Sequence, residues 1–451
     1  MSDIIAAIAT GRAPCAIGIL RLSGPGCAAL TGRVFTPKQP FADAPDRRLV
    51  LGLLHDRQGR VIDECLGVVC RAPHSYTGEE TVELQCHGSP AMLAAGLEAL
   101  LAAGARQAGP GEFTRRAFLN GKLDLTQAEA VVDLIDAETA DAAANAAGQL
   151  GGALKRAIGP VYDGLTDLCS HFHAVLDYPD EDIEDFGAAE LSGALDRAGA
   201  ALQELLATYE KGRHLRQGVR AVLLGKPNAG KSSLLNRLAG YDRVIVTDIA
   251  GTTRDTVEEP VRVGRVLLRL TDTAGIREAG DAIEALGVAR SEQAAREAEL
   301  ALFVCDASQP LTDEDRRAIE AAKCAPRSLA LCNKSDLPAA VSPDALPFDT
   351  VLTVSARTGA GLDALPALLE GWFLGENACD GSLLTNPRQF GALDRASRAI
   401  ARAKTGLGLG VTPDAVLTDV EEAMAALGEV TGRTVREDIT NRIFERFCVG
   451  K

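Results

Sequence analysis

The chain has 451 residues, of which 46% are hydrophobic, 24% are charged and 4% are aromatic. This profile is typical of a globular protein with about three domains, because a single hydrophobic core rarely serves so long a chain. The net charge of −15 argues against indiscriminate nucleic-acid binding, so such a partner would need a local basic surface or a helper protein.

No 18-residue apolar span and no charged-then-apolar leader is evident, which predicts a protein that neither spans a membrane nor is secreted. The 11 cysteines are scattered, with no C-x-x-C pair and no zinc-ligand spacing. Reduced thiols in the cytoplasm are the simplest interpretation. Most of these cysteines are expected to be small core residues.

Residues 1–118 are predicted to form an N-terminal α+β domain. Apolar runs at 16–22, 61–71 and 81–86 predict strands, and the run at 91–101 predicts a helix. From about residue 119 the apolar period becomes helical, and Thr126 and Glu129 have the spacing of a capping box.

The helical pattern spans 119–215 and returns at 376–451, on either side of a different pattern at 216–375. The simplest packing joins the two helical parts into one domain, with the middle segment inserted as an α/β domain. The basic segment 211–220 just before this insertion contains glycines, and we expect a linker with basic side chains.

A phosphate-binding loop is predicted at residues 225–232, which have the form G-x-x-x-x-G-K-S. An apolar run at 219–224 precedes it and a helix-like segment follows. Glycines allow backbone N–H groups to surround phosphate oxygens, and the helix directs its positive end at them. Lys231 can reach the outer phosphates and the Ser232 hydroxyl can ligate Mg²⁺. A chance glycine turn is disfavoured because three partner motifs follow in order.

Two switch segments follow the loop. The first contains Thr247, Asp248, Ile249, Ala250, Gly251, Thr252, Thr253 and Arg254. One of its threonines, preferably Thr253, should complete the Mg²⁺ shell when the γ-phosphate is present. The second contains Asp272, Thr273, Ala274 and Gly275, in which Asp272 is the expected carboxylate on the Mg²⁺ side.

The base is predicted to be guanine. Asn333, Lys334, Ser335 and Asp336 follow an apolar run, so they should lie at the end of a strand. The Asp336 carboxylate can accept from guanine N1–H and N2–H₂, whereas adenine offers no matching donor pair. A second loop, with Ser355, Ala356 and Arg357, is expected to contact the guanine carbonyl through a backbone N–H.

Hydrolysis needs an unusual arrangement, because Ile276 occupies the position where many small GTPases have a glutamine that orients water. Asn228 is a candidate ligand for a monovalent cation that would offset charge in the transition state. Glu284 is a candidate for orienting the water, although a solvated helix carboxylate is an equally good interpretation. Arg254 and Arg277 compete for the role of charge stabilisation, and Lys231 completes the predicted catalytic set.

Several segments together resemble the MnmE/TrmE family of tRNA uridine-modifying GTPases. They are the nucleotide motifs, the N-terminal segment 17–24, the segments 74–79 and 111–122, and the C-terminal C-x-G-K at Cys448–Lys451. The nucleotide motifs alone would fit many GTPases, whereas the segment 111–122 and the tail are far more specific.

The resemblance implies a potassium-activated GTPase with Mg²⁺, a helical domain and an N-terminal domain that dimerises and binds 5-formyltetrahydrofolate or a related tetrahydrofolate. It also implies an FAD protein of the MnmG/GidA type as partner in a heterotetramer, and tRNA as substrate. Together the two proteins would install an aminomethyl or carboxymethylaminomethyl group at C5 of the wobble uridine.

Site residues follow from the same resemblance. Potassium is assigned to Asn228, Thr247, Ile249 and Thr252, and magnesium to Ser232 and Thr253. Folate is assigned to Arg21, Glu79, Lys122 and Lys451. The residues predicted to contact GTP are Asn228, Ala229, Gly230, Lys231, Ser232, Ser233, the switch segments 247–253 and 272–275, Asn333, Lys334, Ser335, Asp336, Ser355, Ala356 and Arg357.

Cys448 has two interpretations: a thiol used in the modification, or a small buried residue near the tail, since no histidine lies nearby in sequence to activate it. For the whole chain, the main alternative is a regulatory or ribosome-assembly GTPase whose N-terminal region is only an interaction module. An adenine-nucleotide enzyme is a third possibility, against which Asp336 argues.

Overall fold

The structure is a computed structural model that describes residues 3–11, 13–37, 43–177, 188–241, 258–272, 284–375, 380–434, 443–445 and 447–450. Only the backbone is described at 174–177, 188–189, 239–241, 258, 272, 284–290 and 413. Among the described helices, none combines the length and apolarity that crossing a membrane requires.

The chain forms two compact units. One comprises residues 1–132, 155–185 and 402–451, and the other comprises 133–154 and 186–401. The predicted multidomain mixture of α+β, helical and α/β segments is confirmed. The predicted boundaries near residues 118, 215 and 375 stay predictions.

The first unit contains a mainly antiparallel sheet, whose seven described strands have the order β3-β4-β5-β6-β2-β1-β7. Only the short pair β1–β7 is parallel. Side chains alternate between the core and the other face of the sheet, as along β5. The strands are β1 (Ile5–Ile8), β2 (Cys15–Ser23), β3 (Phe35–Pro37), β4 (Val50–His55), β5 (Val61–Cys70), β6 (Thr81–Gly88) and β7 (Arg106–Gln107).

Helices that lie in the first unit or pass into it are α1 (Cys27–Thr31), α2 (Pro90–Ala102), α3 (Glu112–Leu119), α4 (Leu125–Ile135), α6 (Ala153–Asp177), α13 (Pro387–Gly408) and α14 (Pro413–Thr431). Helix α2 packs on the sheet through Leu93 and Leu100, which are almost fully buried.

The second unit contains a sheet whose described strands have the order β13-β12-β11-β8-β10-β9, parallel except for β9. Every residue of β11 is buried, which is typical of a parallel strand covered on both faces. The strands are β8 (Val219–Leu224), β9 (Glu258–Val263), β10 (Val266–Asp272), β11 (Leu300–Asp306), β12 (Arg327–Asn333) and β13 (Val351–Thr353).

The remaining helices belong to the second unit: α5 (Ala140–Leu150), α7 (Ala188–Ala207), α8 (Tyr209–Gln217), α9 (Lys231–Tyr241), α10 (Glu284–Glu297), α11 (Asp313–Ala322) and α12 (Ala364–Phe373). A 3₁₀ turn occurs at Pro343–Ala345.

The capping box predicted at Thr126 and Glu129 is wrong. Helix α4 begins at Leu125, so Thr126 already lies inside it. The reciprocal bonds belong to Asp124 and Gln127: the Gln127 N–H donates to Asp124 Oδ1 at 2.9 Å, and the Asp124 N–H donates to Gln127 Oε1 at 3.0 Å. Aspartate and glutamine make the same exchange as the predicted pair, two residues earlier.

The basic segment predicted as a linker is mostly helix α8. Its arginines do not point freely into solvent, because Arg213 pairs with Glu299 at 2.5 Å and Arg216 pairs with Asp133 at 2.8 Å. Gly212 lies against the Leu384 carbonyl, where a side chain would not fit. Close packing, rather than chain flexibility, explains that glycine.

Candidate functional sites

The predicted phosphate-binding loop connects β8 to α9 in the middle of the parallel sheet. Strand β8 ends at Leu224 and α9 begins at Lys231. The loop therefore lies at the carboxyl ends of the strands, where α/β sheets bind their ligands. Asn228 is exposed and has a left-handed backbone with φ of 63°.

The first turn of α9 presents groups suited to an anion. Ser232 and Ser233 are exposed, and Ala229 is buried beneath the loop. The Lys231 Nζ donates to the carbonyls of Gly225, at 2.6 Å, and Lys226, at 2.8 Å. Backbone N–H groups, a helix N-terminus and one ammonium group thus meet at one place, which is the requirement for phosphate binding.

Asn333 connects the phosphate loop to both predicted base-binding loops. Its side chain is 2% exposed, and its Nδ2 donates to the Ala229 carbonyl at 2.9 Å. Its Oδ1 accepts from the Ala356 N–H at 2.9 Å. Gly230 has φ of 96°, and a Cβ there would overlap the Asn333 amide. Glycine is therefore required at this position both for backbone conformation and for space.

Asp336 is fixed as an ionised acceptor. The Ser355 hydroxyl donates to its Oδ1 at 2.7 Å, and Arg357 Nη1 lies 3.6 Å from its Oδ2. The hydrogen bond from Ser355 is the main cause of a lowered pKa for Asp336. The Ser335 N–H, in the same loop, donates to the Val354 carbonyl at 3.1 Å. This carboxylate can accept the two donors that guanine offers.

Lys334 is held beside the same loop by a buried acid. It has φ of 65°, and its Nζ lies 2.6 Å from Asp306 Oδ2. Burial alone would raise the pKa of Asp306, but hydrogen bonds from Lys334 and Ser308 outweigh it and lower the pKa. A cavity of about 520 Å³ is lined by Lys334, Asp306, Asn228 and their neighbours, and it has room for part of a nucleotide.

Several predicted site residues lie outside the described residues: the whole switch segment 247–254, residues 273–275 and Arg277, as does Ile276, which stands where many GTPases have glutamine. Asp272 ends β10 and Glu284 begins α10, but only their backbones are described. The backbone of Asp272 lies beside that of Leu223, in register between β10 and β8. It is thus near the start of the phosphate loop.

A second group of predicted residues meets on the N-terminal sheet. Arg21 on β2 pairs with Glu83 directly across the sheet at 2.8 Å. Its guanidinium carbon lies 5.6 Å from the centre of the Tyr76 ring and 5.7 Å from that of Phe113. Its Nη1 also donates to the Gly450 carbonyl at 3.3 Å, next to Lys451, which lies outside the described residues.

Glu79 is mostly buried, and one of its carboxylate oxygens accepts two hydrogen bonds. Its Oε2 accepts from Arg116 Nη1 at 2.9 Å and from the Ser23 hydroxyl at 3.0 Å. Arg116 was not predicted as a site residue, although it belongs to the specific segment 111–122. Its pairing with Glu79 could not be read from the sequence, because the two residues come from separate elements.

The rest of the segment 111–122 binds the loop around Tyr76. The Asn120 Nδ2 donates to the Thr77 carbonyl at 2.8 Å, and the Thr114 hydroxyl lies 2.8 Å from that of Tyr76. The Lys122 Nζ donates to the Pro73 carbonyl at 3.1 Å and is exposed. This segment thus fixes the loop that leads to Glu79.

The C-terminal tail reaches the same region of the first unit. Val449 forms an antiparallel bridge with Pro110, and the Gly111 N–H donates to the Cys448 carbonyl at 3.3 Å. Gly450 has φ of 102°, and a Cβ there would overlap the Ile8 carbonyl. Cys448 is exposed, so the interpretation of this residue as a buried structural thiol is wrong.

Comparison with known proteins gives matches along the chain. The model of the MnmE helical domain matches residues 125–448, and that of the GTP-binding protein TrmE N-terminus matches residues 4–122. A solved G domain of the T. maritima FeoB iron transporter is 21% identical and covers 33% of this chain and 94% of its own. Its TM-score of 0.25 is too low to support any conclusion.

Curated relatives match over their whole length. The tRNA modification GTPase MnmE of Roseiflexus sp. (strain RS-1) is 45% identical over 100% of this chain and 99% of its own. The protein of the same name from Aquifex aeolicus (strain VF5) is 41% identical over 100% of both chains. The chain therefore belongs to the MnmE family, also named TrmE.

Proposed function

We propose that this chain hydrolyses GTP and couples that hydrolysis to the modification of tRNA. The observation that carries the proposal is the Asp336 carboxylate, kept ionised by Ser355 and linked through Asn333 to the phosphate loop. A base acceptor and a phosphate site are thus parts of one hydrogen-bonded structure. The names of the full-length relatives support tRNA as the molecule that is modified.

In the proposed reaction, Lys231 moves from the Gly225 and Lys226 carbonyls to the outer phosphates of GTP. Ser232 and Thr253 would hold Mg²⁺, which offsets phosphate charge. The exposed Ser232 hydroxyl in the first turn of α9 fits this role. Asp272, which ends the strand beside β8, would approach the ion through water.

Potassium activation is proposed from Asn228, with Thr247, Ile249 and Thr252 as further ligands. The exposed side chain and left-handed backbone of Asn228 at the apex of the loop support this role. A cation there would replace the charge that an arginine supplies in other GTPases. Glu284 would position the attacking water, and Arg254 stays a competing stabiliser of charge.

For the N-terminal site we propose a tetrahydrofolate one-carbon carrier, with 5-formyltetrahydrofolate as the first candidate. Arg21, Lys122 and Lys451 suit the carboxylates of its glutamate tail, and Glu79 suits pterin N–H donors. Arg21 contacts the Gly450 carbonyl of the tail, and Glu79 accepts from Ser23, which lies two residues from Arg21 on β2. Because a carboxylate has about four acceptor positions, Glu79 can keep Arg116 and Ser23 while it accepts a pterin N–H.

A homodimer through the N-terminal sheet is part of the proposal. Leu51 on β4 and Leu66 on β5 are opposite each other and each is 36% exposed. Leu49, Leu53 and Val61 are further exposed apolar residues of these strands and the residue before β4. A second copy would cover them, because contiguous exposed apolar surface is uncommon in monomers. The FAD-containing MnmG/GidA-type partner and the cytoplasmic location rest on the family resemblance.

Cys448 enters the proposal as a candidate thiol for the modification chemistry. It is exposed and two residues from Gly450, whose carbonyl is bonded to Arg21. This contact between the tail and Arg21 supports the proposal.

Nucleotide competition tests the hydrolase part. Purified full-length protein with Mg²⁺ and K⁺ is incubated with labelled GTP, and an excess of either ATP or unlabelled GTP is added as competitor. We expect unlabelled GTP alone to suppress turnover of the labelled substrate. Equal suppression by ATP would contradict the proposed role of Asp336.

A further inference from the structure

Three potential metal ligands meet on β5 and β6 of the N-terminal sheet. The antiparallel register that pairs Leu66 with Gln85 places Cys65 opposite Cys86. Asp63 lies two residues before Cys65 and so faces the same side of β5. The two sulfur atoms and a carboxylate oxygen of Asp63 all lie within 4.8 Å of one another.

The cluster is buried. Cys65 is 4% exposed and Cys86 is 2% exposed, and both belong to the apolar core beneath α2. The side chain of Asp63 is 8% exposed, and a carboxylate in such a place is costly unless it has partners. Two buried thiols alone could be small core residues. The Asp63 carboxylate adds an oxygen ligand beside the two sulfurs.

Asp63 is also oriented from outside the cluster. Its Oδ1 lies 2.7 Å from His87 Nδ1, and its Oδ2 accepts from the His87 N–H at 2.9 Å. His87 itself is 80% exposed and is not one of the three clustered ligands. Carboxylates that ligate metal ions are themselves hydrogen-bonded in protein metal sites, as Asp63 is to His87.

We propose that Asp63, Cys65 and Cys86 bind one thiophilic divalent cation, with Zn²⁺ as the first candidate, and that His87 positions Asp63. Two sulfur ligands and one oxygen ligand favour Zn²⁺ over Mg²⁺ or K⁺, which prefer oxygen. Zn–S bonds of about 2.3 Å at tetrahedral angles place two sulfurs about 3.8 Å apart, so the observed cluster needs only a small contraction. Water completes the fourth position.

Binding should release protons. A thiol must lose its proton to bind the metal, and affinity therefore rises with pH.

Cobalt titration of the reduced, chelator-treated full-length protein tests the site. We expect one equivalent of Co²⁺ to produce a sulfur-to-metal charge-transfer band that Zn²⁺ abolishes by displacement. Cys65→Ser and Cys86→Ser should each bind Co²⁺ more weakly and give a weaker band, because each removes one of the two sulfur ligands. Cys324→Ser, the same change at a thiol in the other unit, should keep it. His87→Ala should weaken binding by about 10- to 100-fold without removing the band at saturation.

The titrations can overturn the proposal. Absence of the band in the wild type, or an undiminished band with unchanged affinity in both serine variants, would do so. A Cys65–Cys86 disulfide found by peptide mass spectrometry in freshly prepared protein would also do so, because its sulfurs could not ligate an ion. If circular dichroism shows that a serine variant is unfolded, Asp63→Asn takes its place, with markedly weaker Co²⁺ binding expected and unchanged binding counting against the site.

Discussion

Single side chains connect the nucleotide motifs to one another. Asn333 bonds to the phosphate loop through Ala229 and to the 355–357 loop through Ala356. Asp336 is bonded by Ser355 in the same loop. Substitutions of these residues should therefore lower nucleotide affinity strongly, even though the side chains are small. Each change either removes an acceptor for the base or disturbs two loops at once.

Asp336→Asn should weaken GTP binding by about 10- to 100-fold, since the amide replaces a charged acceptor facing two guanine donors. The same variant should gain affinity for xanthosine triphosphate, whose C2 carbonyl can accept from the new amide N–H. Fluorescent-nucleotide titration measures both changes.

Asp344→Asn is the matched control, because Asp344 is an exposed acid in the 3₁₀ turn at Pro343–Ala345. It should bind both nucleotides as the wild type does. If Asp336→Asn retained full affinity for GTP, the guanine assignment would fail.

Gly230→Ala should reduce nucleotide affinity by at least about tenfold, because the added Cβ overlaps the Asn333 amide and strains a left-handed backbone. Gly371→Ala offers a control in α12, where nothing lies within 4 Å of the added atom. Isothermal titration with GDP compares the two variants. A Gly230→Ala protein with wild-type affinity would contradict the proposed connection between Asn333 and the loop.

At the scale of elements, apolar periodicity and turn residues predicted the strands at β2, β5 and β6 and the helix α2 to within a few residues. The start of α4 was missed by two residues because Asp124 and Gln127 form a capping pair as favourable as the Thr126–Glu129 pair. Helix α8 was missed because its stabilising partner, Glu299, is distant in sequence. Local patterns carry no information on such pairs.

Glu299→Gln should destabilise the second unit. Burial alone would raise the pKa of Glu299, but hydrogen bonds from His214 and Arg213 outweigh it and lower the pKa from 4.5 to about 2. A carboxylate whose pKa is lower in the folded than in the unfolded protein stabilises the fold at pH values above its unfolded-state pKa. This stabilisation is lost as the pH falls toward its folded-state pKa. The shift corresponds to an upper limit of about 3 kcal/mol.

Urea midpoints of wild type and variant, measured from pH 7 down to pH 3, follow this effect. The difference should be largest above about pH 5 and should shrink steadily below it. Glu320→Gln removes an exposed pair with Lys323 and should change stability by less than about 1 kcal/mol. A difference for Glu299→Gln that grew toward low pH would contradict the assignment.

For the whole molecule, the motifs predicted a nucleotide site and an N-terminal site, but not what supports each of them. Arg116 donates to Glu79, and Arg21 donates to the Gly450 carbonyl in the tail. Both hydrogen bonds join segments that are distant in sequence. The cross-strand meeting of Cys65 with Cys86 is of the same kind, and a search for zinc spacing along the sequence could not find it. The roles of residues 247–254 and Glu284 stay predictions.

Turnover of GTP should be at least about tenfold faster in K⁺ than in Na⁺ at equal ionic strength, because the proposed ligands around Asn228 favour the larger ion. Steady-state phosphate release measures both rates. Asn228→Ala should remove most of the difference between the ions. Equal wild-type rates in the two salts would refute the cation role.

The most direct measurement of the central claim is the nucleoside composition of tRNA from cells that lack this protein and from cells complemented with wild type or Asp336→Asn. Mass spectrometry should show that the C5 modification of wobble uridine disappears on deletion, returns with the wild-type gene and does not return with Asp336→Asn. Unchanged wobble nucleosides in the deletion strain would contradict coupling to tRNA modification, and full rescue by Asp336→Asn would contradict its dependence on guanine nucleotide.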